Sequence, residues 1–212
     1  MTTYVTKSSG VREAVDLAKI DKVLEWAAKG LENVSVSQVA MKSHIQFTDG
    51  ITTDDIHKTL VKSAADLISV ETPEYQYMAA RLLMFKLRKK AFGQFEPPHL
   101  SNHIQKLTNE GWYDEHILED YDDIELNILN DYLQHDRDMA FAYAGVKQLE
   151  GKYLVQHRST KQVFESPQFL YVLVSMCLFS KYNKDVRMQY VKDFYDAIST
   201  FKISLPTPIM GG

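Results

Sequence analysis

The sequence predicts a mainly α fold with one small β-hairpin at its front. Three observations carry that reading. Between Leu17 and Ala91, apolar residues recur at i, i+3 and i+4 in four successive runs, the spacing of helices that bury one face. Ahead of them, Tyr4-Val5-Thr6-Lys7 and Val11-Arg12-Glu13-Ala14-Val15 are β-favouring runs separated by the turn signal Ser8-Ser9-Gly10. Behind them, Gly93-Gln94-Phe95-Glu96-Pro97-Pro98 forbids continued helix, because paired prolines lack N–H donors and restrict the residue before them.

Each element has its own local cause. Asp16 is placed to cap a first helix whose stripe is Leu17, Ile20, Val23, Leu24 and Ala27, and Gly30 marks its end. Ser35 or Ser37 caps a second, carrying Val39, Ile45 and Phe47, which Asp49-Gly50 stops. Thr53-Asp54-Asp55 caps a third, with the face Ile56, Leu60, Ala64, Leu67 and Ile68. Pro73, at a first helical position where its missing N–H costs nothing, starts a fourth through Tyr77, Ala80, Leu83, Met84 and Leu87. Hairpin and four helices make one unit, residues 1–92. A helical domain, residues 93–200, reads as helices over 100–111, 114–121, 123–133, 139–149, 168–181 and 184–199, with an extended piece at 160–165. Residues 201–212 form the last segment, with a strand expected over 201–209.

Composition narrows the function. The chain has 212 residues, 45% of them hydrophobic, which suits a globular protein. Its formal charge of −4 carries no polybasic signature of nucleic-acid binding. Residues 1–95 hold 13 Lys/Arg against 11 Asp/Glu, while 96–212 hold 11 against 17. A mildly basic front suits a phosphate ligand; the acidic back does not suit DNA. Cys177 is the only cysteine, which rules out an intrachain disulfide and a Cys-rich zinc site, and its apolar run reads it as a small buried hydrophobe. The first nine residues lack the apolar core of a signal peptide, and the longest apolar stretch, residues 169–179, is too short to span a bilayer. The expectation is a cytoplasmic protein with no membrane partner.

The front unit holds the chemistry. Lys7 leaves a strand and Lys19 lies in a first helical turn, so both can face one spot, and helix N-termini favour anions. No Walker A pattern accompanies them. That combination points to a nucleotide held for sensing, not for hydrolysis. Of Lys86-Leu87-Arg88-Lys89-Lys90, only one or two cations can meet one ligand, leaving the rest solvated. The acidic residues between Asp114 and Glu125 lack EF-hand spacing and read as a solvated surface.

Several of these segments also resemble a known family. Val5-Thr6-Lys7, Gly10, Glu13, Asp16-Leu17, Lys19-Ile20, the run from Asp49 to His57 and Leu87-Arg88-Lys89-Lys90-Ala91 resemble an ATP-cone domain. Phe92-Gly93-Gln94-Phe95-Glu96-Pro97-Pro98, His135-Asp136-Arg137-Asp138-Met139, Lys152-Tyr153-Leu154-Val155 and Leu205-Pro206-Thr207-Pro208-Ile209-Met210 continue the likeness, in order, to the N-terminal portion of the class I ribonucleotide reductase large subunit. The resemblance implies an ATP-cone four-helix unit, a helical domain, and the first strand of an incomplete α/β barrel. It implies that ATP activates and dATP inhibits, bound with magnesium at Lys7, Glu13, Ala14, Val15, Asp16, Leu17, Ala18, Lys19, Thr53, His57 and Lys89. Glu13 is expected at a ribose hydroxyl or adenine amino group, since phosphates would repel it. Lys86 stands where relatives often carry histidine, which bears on selectivity between the two effectors.

By the same resemblance Thr207 contacts a substrate nucleoside diphosphate, and no catalytic residue lies in this chain, because none of the family's cysteine motifs is present. The implied activity is ribonucleoside-diphosphate reduction by the full or reassembled large subunit. The implied partners are the remainder of that subunit, another large subunit and the radical-generating small subunit. Either the chain is a fragment or the gene is split. The alternative is a stand-alone nucleotide-sensing regulatory module without catalysis. A zinc-ribbon repressor of that kind needs four cysteines, and a bare sensor leaves the Leu-Pro-Thr-Pro-Ile-Met segment unexplained.

Overall fold

The computed structural model describes residues 3–7 and 9–210; Ser8 of the expected hairpin turn, and Gly211 and Gly212 of the last segment, lie outside the described residues. Contacts divide the chain into two compact units, one formed by Met1–Lys86 with Met139–Lys147 and the other by Leu87–Asp138 with Gln148–Gly212.

The first unit starts with β1 (Tyr4–Thr6) and β2 (Arg12–Ala14), paired antiparallel with Val5 opposite Glu13. Gly10, at φ 81°, occupies the left-handed region that closes the hairpin, and its N–H donates to the Lys7 carbonyl. A third strand, β3 (Ile51–Thr52), runs parallel to β1 and places Thr52 beside Thr6. Asp49 ties the sheet together by accepting from the Tyr4 N–H at 2.9 Å and pairing with Arg12.

Around the sheet lie α1 (Leu17–Ala28), α2 (Val36–His44), α3 (Thr53–Ala65) and the start of α4 (Tyr75–Phe92). Asp16 caps α1 by accepting from the Lys19 N–H, and Ser35 caps α2 by accepting from the Gln38 N–H. The α3 cap is Thr52, not the expected Thr53. The Thr52 backbone is still extended, and its hydroxyl accepts from the Asp55 N–H at 3.1 Å, leaving Thr53 as the first helical residue. Leu24, Ala27, Val39, Ile56, Leu60 and Ala64 form the core with Tyr75, Met78, Ala79 and Leu82 of α4. Arg81 closes α1 from α4 by donating to the carbonyls of Ala27 and Lys29 at 3.1 and 2.7 Å.

The second unit contains the end of α4, α5 (Leu100–Asn109), α6 (His116–Asp120), α7 (Asp123–Tyr132) and a 3₁₀ turn, His135–Ala140. The single helix expected over 139–149 is shorter: the 3₁₀ turn takes its start, α8 (Tyr143–Gln148) lies almost wholly in the first unit, and a π-helical turn, Leu149–Tyr153, continues from it. Two long helices follow, α9 (Pro167–Phe179) and α10 (Lys184–Ser199). The second of these keeps the range read from the sequence.

Charged residues expected in solvent prove to be the buried framework of this unit. Arg88 and Asp138 are 2% and 0% exposed and meet at 2.8 Å. Arg88 also donates to the His135 carbonyl at 2.6 Å. Gln168 donates to Asp138 and accepts from the Tyr195 hydroxyl, which in turn accepts from the Gln134 N–H. Glu125, expected in a solvated acidic run, is buried against Arg187 at 2.5 and 2.8 Å and completes the capping box that Asp122 opens at α7. In each case a partner distant in sequence supplies the opposite charge, which local spacing cannot reveal.

Two further expectations are corrected. Cys177 is exposed: α9 buries Phe169, Leu170, Val172, Ser175 and Met176, and one more residue turns Cys177 off that face. No strand forms over 201–209. Phe201–Ile203 is a turn, and Thr207–Met210 is one helical turn, α11, whose Ile209 and Met210 amides bond the Pro206 carbonyl at 3.0 and 3.3 Å. Pro206 and Pro208 cannot donate to a ladder, and among the described residues of this unit no named strand offers them one. No helix among the described residues is long and apolar enough to cross a membrane.

Buried titrating groups give this unit a pH signature. Burial pushes the Glu165 carboxyl up to about 7, against the pull of the Tyr113 hydroxyl and the Val155 N–H, which donate to it at 2.6 and 2.8 Å. A carboxyl raised in the folded state favours the protonated form, so its contribution is full below about pH 4.5 and is lost as pH rises through 7. Burial pushes His103 and His135 down to about 4, so their contribution is lost as pH falls from 6.5 towards 4. Glu165→Gln removes the loss on the alkaline side. Denaturant titrations at pH 5 and pH 8 should show the variant gaining about 3 kcal/mol on wild type between the two. An unchanged difference between the two pH values would mean that Glu165 is ionised throughout.

Candidate functional site

The parallel pairing of β1 with β3 builds the site. It sets the end of β1, where Lys7 begins the hairpin turn, beside Thr52 and the start of α3. Antiparallel β2, on the other side of β1, carries Glu13, which pairs with Lys7 at 2.7 Å. Ala14 ends β2, the Val15 N–H bonds the Thr3 carbonyl, and Asp16 opens α1. Leu17 and Ala18 are exposed in the first turn of α1, where a helix leaves N–H donors without intrahelical partners. Lys19 is exposed beside them, with its ammonium 3.6 Å from Asp16.

The site residues of the first unit therefore come from a hairpin and two helix N-termini. A helix N-terminus carries a positive dipole end and first-turn N–H groups suited to an anion. Thr53, now N1 of α3, offers its backbone N–H and half-buried hydroxyl there. One turn further on, the His57 ring lies 5.4 Å from Phe85, and Phe85 lies 5.8 Å from Trp26. That half-buried aromatic ladder joins α3, α4 and α1. Trp26 and Phe85 were not singled out from the sequence, because each falls beside an apolar stripe and reads as core.

Lys86 is the other residue that local spacing leaves unplaced. Its ammonium is 3.2 Å from Asp54 in the first turn of α3, and Asp54 also holds Lys58 at 2.7 Å. Burial pushes the Asp54 carboxyl up, but Lys58 and Lys86 outweigh it and hold the group below its ordinary value. Lys89 is exposed on α4 in the second unit.

Thr207 belongs to the second unit and to different surroundings. Its hydroxyl is 3.0 Å from that of Tyr153 and 3.5 Å from the Lys152 ammonium. The π-helical turn brings those two successive side chains to one oxygen, as such turns do at functional positions. Beside Thr207, residues Pro208–Met210 help to line an apolar cavity of about 460 Å³ with Trp112, Leu170, Val174 and Cys177.

Two family models match the chain. The ATP cone domain matches residues 3–90, and the ribonucleotide reductase all-alpha domain matches residues 139–212. The chain is 62% identical over 208 residues to ribonucleoside-diphosphate reductase 1 subunit alpha of Escherichia coli K12, covering 98% of this chain and 27% of that protein. Subunit alpha of Haemophilus influenzae is 60% identical over 208 residues, 98% of this chain and 28% of that protein. The corresponding subunit of Enterobacteria phage T4 is 47% identical over 210 residues, again 98% and 27%. The chain thus spans about a quarter of the length of the curated relatives it matches.

Proposed function

Because the chain belongs, through both matched domains and along its whole length, to the ribonucleotide reductase alpha-subunit family, we propose that it serves as the allosteric N-terminal region of a ribonucleoside-diphosphate reductase. Residues 1–92 are the effector domain, activated by ATP and inhibited by dATP, each taken with magnesium. The observation that carries this reading is the strand pairing that sets Lys7, with Glu13 against it, beside the α3 N-terminus inside a matched ATP cone. In the site, Lys7 and Lys19 neutralise phosphate oxygens, while the amides of Leu17, Ala18 and Thr53 donate to them. Glu13, on the strand that returns beside Lys7, accepts from a ribose hydroxyl or the base. Ala14 and Val15 shape the wall between Glu13 and Asp16, and His57 completes the ligand set within this unit.

The effector works by unequal affinity for two assemblies, which shifts the population between them without any chemistry at the cone. The assemblies comprise a second large subunit and the small subunit, and the chemistry resides in the remainder of the large subunit. Thr207, held by Tyr153 and Lys152, serves the substrate diphosphate. The protein is cytoplasmic in this reading.

Calorimetry on the 212-residue chain should detect ATP and dATP binding without release of phosphate. Lys7→Ala should weaken that binding by about 1.5–3 kcal/mol, the worth of one charge-assisted phosphate contact. Loss of the Lys7 dependence would remove the phosphate role, and no binding at all would remove the effector reading.

Reduction of a ribonucleotide in this family runs through several cysteines, and this sequence has only Cys177. Incubated with ribonucleoside diphosphate, small subunit and reductant, the chain alone should yield no deoxynucleotide. Turnover that depends on this polypeptide alone would mean a different reaction.

A further inference from the structure

The lysines on the effector side of the first unit share a pattern. Lys7 is paired with Glu13 at 2.7 Å, Lys19 with Asp16 at 3.6 Å, and Lys86 with Asp54 at 3.2 Å. The first two belong to the nucleotide site proposed above. Lys86 is joined to that site twice over. Its partner Asp54 directly follows Thr53, and the neighbouring Phe85 packs on His57, so α4 meets the first two turns of α3.

We propose that Lys86 is a further phosphate-binding residue of the effector site, held by Asp54 until the polyphosphate takes it over. This rests on the effector reading and goes beyond it by assigning a residue and an exchange. Three features support the exchange. The Lys86 side chain is only 15% exposed, against 44% for Lys7 and 75% for Lys19, so its charge is kept close to the α3 N-terminus and does not range through solvent. A triphosphate offers several negative charges where Asp54 offers one, so the cation gains by changing partner. Asp54 is not stranded by the change, because Lys58 remains on its other oxygen at 2.7 Å.

An exchange and a purely structural ion pair differ in sign. If the pair only braces α3 against α4, breaking it from either side harms the site alike. If Asp54 competes with the nucleotide for Lys86, the two sides act in opposite directions. ATP titrations of the full chain, with thermal unfolding of each variant alongside, separate the cases. Lys86→Gln, which keeps the buried stem and removes the charge, should weaken ATP binding about tenfold. It should also flatten the dependence of affinity on salt. Asp54→Asn should tighten binding severalfold, and should have no such effect once Lys86→Gln is present. Wild-type affinity in Lys86→Gln, with Lys7→Ala still impaired, would overturn the assignment while leaving the effector site standing. Weakening by both substitutions would overturn it in favour of a brace. Failure of the wild-type chain to bind ATP would overturn the effector reading, and this inference with it.

Discussion

Asp138 is a carboxylate with no exposed surface, and the second unit is organised around satisfying it. An unpaired buried charge costs several kcal/mol, so the groups around it have little freedom to move apart. Arg88 arrives from the end of α4, Gln168 from the first turn of α9, and Tyr195, which fixes Gln168, from α10. The 3₁₀ turn that carries Asp138 also supplies the His135 carbonyl to Arg88. Four segments far apart in sequence are therefore registered by one anion. Apolar contacts alone would tolerate a helix sliding along its axis; a bifurcated guanidinium does not. The stacked rings of His103 and Phe169, 4.5 Å apart, fill the space beside this network, and their burial explains why His103 stays neutral.

The first unit solves a different problem, which is to present lysines whose charge is already balanced: Lys7 by Glu13, Lys19 by Asp16 and Lys86 by Asp54. Like charges brought near one another repel, and the repulsion grows as water is excluded. Pairing each with a carboxylate removes most of that cost. Surface pairs of this kind contribute little stability, typically under about 1 kcal/mol, and so they are easily given up. Weak pairing is an advantage at a binding site, because what is released on exchange is small compared with what several phosphate oxygens return. Glu13 and Asp16 are both attached to backbone whose position is fixed by other bonds, the ladder of β2 and the cap of α1. They can lose a lysine without moving.

How far the sequence revealed this depends on the range of the forces involved. Short-range chemistry was legible: Asp16, Ser35, Gly30 and the hairpin glycine do what their local rules require. The helix of Lys184–Ser199 follows its periodicity to the residue. The site was legible in part. Lys7, Glu13 and Lys19 are close in sequence, whereas β3 has only two residues and its pairing with β1 spans 46 positions. Nothing in Ile51-Thr52 announces a strand, and without it the cap falls on Thr53 by default. Arg88 and Glu125 were read as exposed because charge on a helix usually is; each is buried by a partner on another element. The stretch 201–209 was read from apolar content as a strand, although a strand is a relation between two segments and its prolines supply no donors.

The same distinction bears on how such a site could discriminate. A triphosphate is recognised mainly by charge, and charge falls off slowly with distance, so lysines and helix dipoles alone would bind many polyanions. Selection between nucleotides that share a triphosphate must come from short-range contacts, whose donors and acceptors have to be placed within a few tenths of an ångström. In the proposed site the short-range groups are Glu13 on β2 and the His57–Phe85–Trp26 ladder, and both are anchored to regular elements and not to loops. Lys86 lies where the two kinds of recognition meet, next in sequence to Phe85 and bonded to Asp54. On the proposed exchange, a cation at that junction couples them: its position is set by phosphate or by Asp54, and it shares a helical turn with the ring that faces His57. Movement of one charge between two partners can therefore be felt by the aromatic ladder, which is the physical requirement for a site that must report which ligand it holds, not merely that it holds one.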